Sequence, residues 1–285
     1  MTEVTWKTLD LINEATQFLA SREIENPRLE TELLLAAALG IRRIDLYLQF
    51  ERILQAGEVE TFRAHVRQRL NGCPVQYITG EAGFRLLDLE VTPAVLIPRP
   101  ETELLVEHAL PLAEQGATTA LDLCCGSGAS AISLATEATS LHVTGSDLSS
   151  EAIRVARRNR DRHDLNQRLH LVCGDLFAPL GADVRFDMII TNPPYIGSAE
   201  IEDLQPEVRD HEPRLALDGG ADGLDVVRRI VAGAVDHLTP GGHVLIEVGH
   251  TQAEQVVDLM SGRQLEATVH EDLADIPRIV IGRLG

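Results

Sequence analysis

The first part of the chain repeats apolar residues every three or four positions, which is the spacing of amphipathic helices. The predicted helices cover residues 9–19, 29–39, 46–50 and 59–70. Asn26-Pro27 places a capping residue and a first-turn proline before the second helix, and Gly40 and Gly72 follow the second and the last. We therefore predict a small helical domain over residues 1–72, with a role in packing or substrate docking.

Residues 73–98 are predicted to link this domain to the rest of the chain. Residues 74–80 have the composition of a turn, and apolar segments at 84–87 and 89–92 predict a short hairpin. Prolines on both sides keep Arg99 out of regular structure, and a helix is expected to begin near Glu101. An arginine held in this way is a candidate for a carboxylate contact or a local ion pair.

From about residue 118 the pattern alternates between short apolar strands and helical segments, which is typical of a parallel α/β sheet. Strands are predicted at 119–123, 141–146, 168–172, 185–191 and 243–248, and helices at 129–138, 150–162, 223–238 and 252–261. Two more strands, 265–270 and 278–283, are too close in sequence for a crossover helix, so we expect that pair to be antiparallel. Residues 99–285 thus form a predicted α/β domain.

The composition narrows the classes of function. A formal net charge of −19 disfavours binding to a nucleic-acid backbone, which needs clustered Lys and Arg. Cys73, Cys124, Cys125 and Cys173 have the spacing of neither a zinc site nor a disulfide framework, so we expect free thiols and no metal. Residues 1–10 lack the features of a signal peptide, and no apolar run approaches the ~20 residues of a membrane span. We expect a cytoplasmic monomer without membrane or direct nucleic-acid contacts.

One tetrapeptide, Asn192-Pro193-Pro194-Tyr195, follows the apolar strand at 185–191. Asn192 offers a side-chain oxygen acceptor, and Pro193 offers a carbonyl whose direction is restricted by the proline after it. Tyr195 adds an aromatic face and a hydroxyl. Two fixed acceptors beside a stacking wall suit a flat NH2 group conjugated to a π system, as in a carboxamide or an amino-purine. A proline-rich turn is the plainer interpretation of the tetrapeptide alone.

A glycine-rich loop joins the first strand of the sheet to the following helix: Cys124-Cys125-Gly126-Ser127-Gly128. Its glycines let the backbone approach a ligand closely. The loop lacks the full dinucleotide fingerprint and the lysine of a P-loop, so a pyrophosphate ligand is disfavoured. Asp122 adds a carboxylate that would repel phosphate and can accept a hydrogen bond from an ammonium group.

The next strands also end in polar residues. Asp147 lies about 20 residues past the glycine loop, where an acid binds ribose hydroxyls in doubly wound folds. Asp175 follows the third strand and can accept from an adenine amine, with Leu176 as an apolar wall, and Asn192 follows the fourth. Because ligands of open α/β sheets bind at the carboxyl ends of the strands, we predict one shared site. Its groups describe a site for S-adenosylmethionine, with S-adenosylhomocysteine as the product.

Three segments are candidates for the rim of this site. The segment 212–214 and the glycines between Gly219 and Gly223 are expected to wall the substrate site, the alternative being a plain connection. Glu247 is expected to shape the same rim. His250 is expected to be a surface or capping residue.

The chain resembles the HemK/PrmC family of protein-(glutamine) methyltransferases, which modify peptide chain release factors. The resemblance spans nearly the whole chain and rests on PVQYITGEAGF (74–84), VLIPRPETE (95–103), LDLCCGSG (121–128), TNPPYI (191–196), EPRLALDGGADGL (212–224) and GGHVLIEVG (241–249). The tetrapeptide NPPY alone is shared with DNA amino-methyltransferases. Cys125 stands where the family usually has Thr, and Leu176 stands where it often has an aromatic residue.

The resemblance implies a Rossmann-like, seven-stranded S-adenosylmethionine methyltransferase sheet with a reversed last strand, and a helical N-terminal domain that helps to receive the release factor. The acceptor would be the side-chain nitrogen of the glutamine in a Gly-Gly-Gln motif. Asn192, Pro193 and Tyr195 are the expected catalytic residues, with Pro194 beside them in the substrate site. Cofactor contacts are expected from Arg99 and from the glycine loop and strand-end residues named above. The alternatives are a nucleic-acid amino-methyltransferase, a ribosomal-protein glutamine methyltransferase and a non-catalytic cofactor-binding module.

Overall fold

The computed structural model describes residues 5–285, which form two compact units. One unit ends at Gly80 and the other begins at Glu81. The division into 1–72, 73–98 and 99–285 stays a prediction. The expectation about a signal peptide falls in part on residues 1–4, which lie outside the described residues.

The first unit is helical, as predicted. Its helices are α1 (Thr8–Ala20), α2 (Pro27–Leu39), α3 (Arg43–Tyr47), α4 (Ala56–Leu70) and α5 (Val75–Thr79). Their buried apolar side chains, among them Ile12, Leu34 and Phe62, form one core. The predicted position of the short third helix, 46–50, is wrong by three residues at each end.

The prediction of a turn over residues 74–80 is also wrong, because this segment forms α5. Pro74 precedes its first turn, and Gly80 ends it with a left-handed φ of 77°. The predicted hairpin exists but is shifted, with β1 (Glu81–Phe84) paired to β2 (Leu87–Glu90). Its turn lies at Arg85, which has a φ of 51°.

The second unit is built on a seven-stranded sheet. The strands are β3 (Thr119–Leu123), β4 (His142–Asp147), β5 (Leu169–Cys173), β6 (Phe186–Thr191), β7 (Leu238–Glu247), β8 (Leu265–Glu271) and β9 (Pro277–Leu284). Their order is β5-β4-β3-β6-β7-β9-β8. The first five in this order are parallel, and β9 is antiparallel to both β7 and β8. The reversed last strand and the antiparallel pair are therefore confirmed.

Helices cover both faces of this sheet. The α-helices of this unit are α6 (Pro100–Glu114), α7 (Ala129–Glu137), α8 (Ser150–Arg162), α9 (Pro206–His211), α10 (Asp225–His237) and α11 (Ala253–Ser261). One apolar cluster joins the sheet to α6, α7 and α8, and a second joins it to α10 and α11. Burial on both faces explains the apolar run Met188-Ile189-Ile190 in the central strand β6.

The strand order indicates where on the sheet a ligand would bind. The chain runs from β3 outward through β4 to β5, and then returns to the other side of β3 as β6. Such a reversal opens a crevice at the carboxyl ends of the neighbouring strands. No helix within residues 5–285 is long and apolar enough to span a bilayer.

Candidate active site

A cavity of about 290 Å³ lies at this crevice in the second unit. It brings together most of the site residues predicted from sequence: Arg99, Asp122, Cys124, Cys125, Gly126, Ser127, Asp147, Asp175, Leu176, Asn192 and Pro194. Gly128, Pro193 and Tyr195 do not line it. The polar ends of four successive parallel strands therefore share one concave surface.

The glycine loop after β3 is held by backbone hydrogen bonds. The N–H of Cys125 donates to the Ser146 carbonyl at 3.1 Å, and the N–H of Gly126 donates to Asp147 Oδ2 at 2.9 Å. Gly128 has a φ of 83° at the start of α7, and a Cβ there would lie 3.1 Å from Ile132 Cδ1. Gly128 thus lets the chain turn from the loop into the helix.

Cys124 and Cys125 contribute to the cavity wall without offering a reactive thiol. Burial raises the pKa of both thiols well above the usual range, and the nearby Asp147 carboxylate raises them further. A neutral thiol is a weak nucleophile. Within residues 5–285 the four cysteines remain unbridged.

Asp122 is a buried carboxyl group at the base of this loop. Its Oδ2 accepts a hydrogen bond from the N–H of Ala131 at 3.1 Å. Burial raises the pKa of Asp122 to about 8, with a smaller contribution from the negative charge of Asp147. A carboxyl group in this state gains most from a cationic partner, because an opposite charge compensates the desolvation of its ionised form.

Asp147 ends β4 with both carboxylate oxygens facing backbone donors. Oδ1 accepts from the N–H of Ser149 at 2.8 Å, and Oδ2 accepts from Gly126. Burial raises its pKa, while these two hydrogen bonds lower it. Each oxygen keeps a further lone pair, which is the arrangement that a vicinal diol needs.

Asp175 and Leu176 close the far end of the cavity. Leu176 is buried with a φ of 48°, and its carbonyl accepts from the Ser146 hydroxyl at 3.3 Å. Asp175 is exposed and pairs with Arg229 at 2.7 Å. The sequence did not indicate this role of Arg229, because Arg229 lies in α10, 54 positions from Asp175.

Asn192 follows β6 and has a fixed side-chain amide. Its Nδ2 donates to Thr102 Oγ1 at 3.0 Å, and among residues 5–285 its Oδ1 makes no hydrogen bond. Thr102 lines the cavity from α6. It was missed from sequence, although it lies in the 95–103 stretch that carried part of the resemblance.

Hydrogen bonds of the Gln252 side chain fix the backbone of Tyr195. Its carbonyl accepts from Gln252 Nε2 at 2.8 Å, and the Gln252 Oε1 accepts from the N–H of Gly249 at 3.0 Å. The Tyr195 hydroxyl has its pKa raised to about 12, first by burial and then by the charge of Glu247. It is therefore a neutral phenol at physiological pH.

The glycines at 219–223 support the tetrapeptide rather than line the cavity. A Cβ at Gly219 would lie 2.7 Å from the Pro194 carbonyl, and a Cβ at Gly223 would lie 2.2 Å from the Tyr195 carbonyl. The cavity wall comes instead from Pro213, Leu215 and Ala216. Of the predicted substrate wall only Pro213 therefore lines the cavity, and Leu215 and Ala216 lie just beyond the predicted segment 212–214.

Arg99 forms the ion pair expected of it, with Glu212. Glu212 has 2% of its side chain exposed and also accepts from the N–H of Ile97 at 3.3 Å. Through these two contacts Glu212 connects the segment before α6 to the segment 213–216. His250 is exposed, as expected, but Glu247 is buried and does not line the rim.

The fold and this cavity define a methyltransferase. Residues 100–206 match the family described as Methyltransferase small domain, and residues 10–80 match the PrmC N-terminal domain. A methyltransferase from Pyrococcus furiosus has the same fold, with a TM-score of 0.55 and 19% identity over 78% of this chain and 98% of that one.

The chain belongs to the release factor glutamine methyltransferase family. It is 45% identical to the release factor glutamine methyltransferase of Geobacter sulfurreducens, with 98% of each chain covered. It is 41% identical to the protein of that description from Chlorobaculum tepidum, with 97% of each covered. The resemblance seen in the sequence motifs is thereby confirmed over the full length.

Proposed function

We propose that this protein transfers a methyl group from S-adenosylmethionine to the side-chain amide nitrogen of the glutamine in a Gly-Gly-Gln motif of a peptide chain release factor. The observation that carries the proposal is the hydrogen bonding of the Asn192 side chain. Its Nδ2 is engaged by Thr102, so the remaining acceptor, Oδ1, is free to receive an amide hydrogen. Membership of the family supports the same acceptor.

The donor set of the cavity fits S-adenosylmethionine. Asp122 suits the ammonium group, Asp147 suits the ribose diol, and Asp175 suits the adenine amine, with Leu176 against the ring. Both arginines that line the cavity, Arg99 and Arg229, are already paired with carboxylates, which argues against a phosphate ligand. When bound, this cofactor supplies an electrophilic methyl group on a positively charged sulfur.

The substrate amide is a poor nucleophile, because its nitrogen lone pair is delocalised into the carbonyl. The rotation barrier of an amide, about 18–20 kcal/mol, measures the resonance at stake. Asn192 Oδ1 and the Pro193 carbonyl each accept one hydrogen of the NH2 group and hold its nitrogen in a fixed direction. The same two acceptors stabilise positive charge as it develops on that nitrogen.

The rest of the tetrapeptide completes the substrate site. Pro194 lines the cavity beside Asn192. Tyr195 lies outside the cavity lining, and its ring is proposed to lie against the amide plane of the bound glutamine. After transfer the amide nitrogen is strongly acidic and releases its extra proton to water without a general base. The neutral phenol of Tyr195 is consistent with a packing role.

The acceptor class is tested with labelled S-adenosylmethionine. The protein is incubated separately with a release factor, a ribosomal protein and DNA, and the label is located by mass spectrometry. We expect label on the Gly-Gly-Gln glutamine of the release factor and its loss when that glutamine is replaced. Label on the ribosomal protein or on DNA alone would refute the proposal. The reaction is expected in the cytoplasm, where release factors act.

A further inference from the structure

Thr102 links Asn192 to a buried acid outside the cavity. Its Oγ1 accepts the hydrogen bond from Asn192 Nδ2 at 3.0 Å. Its hydroxyl also faces the carboxyl group of Glu247, at the end of β7, and lowers the pKa of that group. Thr102 belongs to the first turn of α6, so three separate elements contribute to one chain of polar contacts.

A hydroxyl group has one proton to donate and lone pairs with which to accept. When Glu247 is ionised it can only accept, so the Thr102 proton points to it. Thr102 Oγ1 is then an acceptor towards Asn192, and the amide must present Nδ2 to it. The Oδ1 of Asn192 is left for the substrate.

Glu247 is an unusual residue for this position. It is 2% exposed, and its Oε2 has no hydrogen-bond partner among residues 5–285. A buried carboxyl group with an unsatisfied oxygen costs stability.

We propose that Thr102 and Glu247 are positioning residues that hold the Asn192 amide with its oxygen towards the substrate. This inference rests on the proposed function, since it concerns how Asn192 accepts from the substrate amide. Neither residue needs to touch the reacting atoms. Their effect is to exclude the flipped amide, which would set Nδ2 against the hydrogens of the substrate.

The arrangement couples the amide orientation to the ionisation of Glu247. A protonated Glu247 can donate to Thr102 Oγ1, and the Thr102 proton is then free to point to Asn192 Oδ1 and favour the flipped amide. Burial raises the pKa of Glu247 to about 7, and the neighbouring Thr102 hydroxyl opposes that rise. The other charges that act on Glu247 are Glu101, which raises its pKa, and Arg278 and Arg99, which lower it. The neighbouring Tyr195 stays neutral, so the rate constant should rise with pH through about 7.

The test compares two substitutions at Thr102. Thr102→Val keeps the shape and removes the hydroxyl, whereas Thr102→Ser keeps the hydroxyl and removes a methyl group. Methyl transfer to a release factor gives kcat, and titration calorimetry gives the affinity for S-adenosylmethionine. The matched control is Thr268→Val, at an exposed threonine of β8.

We expect kcat of Thr102→Val to fall about tenfold or more, since a small misplacement of a positioning group is costly, while cofactor affinity stays within about twofold. Thr102→Ser should recover most of the loss. Glu247→Gln should remove the rise of kcat with pH through about 7, and this measurement also stands if Thr102→Val does not fold.

Two results would overturn the inference: wild-type kcat in Thr102→Val, or an equal loss in Thr102→Ser, which would indicate packing alone. An unchanged pH profile in Glu247→Gln would remove Glu247 from the arrangement. Failure of the proposed function is distinct, because the wild-type protein would then methylate no release factor at all.

Discussion

The backbone N–H of Gly126 donates to Asp147 Oδ2 at 2.9 Å, so the loop after β3 and the carboxylate after β4 form one unit. The other oxygen of Asp147 accepts from Ser149, which is the N-cap residue of α8. One side chain therefore fixes the glycine loop and the entry to a helix while it faces the cavity. Any change at Asp147 should act on cofactor binding before it acts on chemistry.

Asp147→Ala is expected to weaken binding of S-adenosylmethionine about ten- to a hundredfold, because it removes hydrogen bonds to a charged acceptor. Titration calorimetry measures this directly. Asp183→Ala, at an exposed aspartate of the same unit, is the matched control and should bind as the wild type does. Equal affinity in Asp147→Ala and the control would rule out the ribose contact.

Asp122 should make stability depend on pH. Its pKa is about 8 in the folded protein and 3.8 as an ordinary side chain, so the folded state holds a proton that the unfolded chain releases near pH 4. This contribution to stability is fully present below that pH and is lost as pH rises through about 8. Glu247 and Asp147 also have raised pKa values and act in the same direction.

Asp122→Asn should remove the part of this dependence that belongs to Asp122. We measure Tm by calorimetry without cofactor. The Tm of the variant minus that of the wild type should increase as pH rises from about 5 to about 8. Asp183→Asn serves as the control with no such trend. A constant difference in Tm across this window would show that Asp122 is not buried as a neutral acid.

Gly223→Ala should displace the backbone of the tetrapeptide Asn192-Pro193-Pro194-Tyr195. Gly223 has a φ of 75°, and an added Cβ would lie 2.2 Å from the Tyr195 carbonyl and 2.6 Å from Gln252 Nε2. Both Tm and kcat should therefore fall, by thermal denaturation and methyl-transfer assays. Gly83→Ala places its Cβ in open space and should leave kcat unchanged. Wild-type values in both variants would mean that this glycine does not support the site.

The positions of the strand ends were predictable from the sequence. Asp147, Asp175 and Asn192 each lie at or just after the end of a predicted strand, and the carboxyl ends of parallel strands lie at one edge of a sheet. Local patterns suffice for such residues, because topology brings them together without further information. The early part of β7 was missed because Thr239-Pro240-Gly241-Gly242 has the composition of a turn.

The contacts across the sequence were not predictable in this way. Thr102 and Asn192 are 90 positions apart, and Glu212 and Ile97 are 115 apart. Such pairs depend on how α6 and the segment before it pack, which no local pattern records. The hairpin shift has a local cause, since Arg85 adopts a left-handed φ that is uncommon for a residue other than glycine.

The most direct test of the account is Asn192→Ala, measured for both kcat and cofactor affinity. Because Asn192 Oδ1 is the acceptor for the substrate amide, we expect kcat with a release factor to fall about 10²- to 10³-fold. The affinity for S-adenosylmethionine should fall far less, since Asp122, Asp147 and Asp175 remain. A kcat near that of the wild type would contradict the assignment of Asn192 to the chemistry.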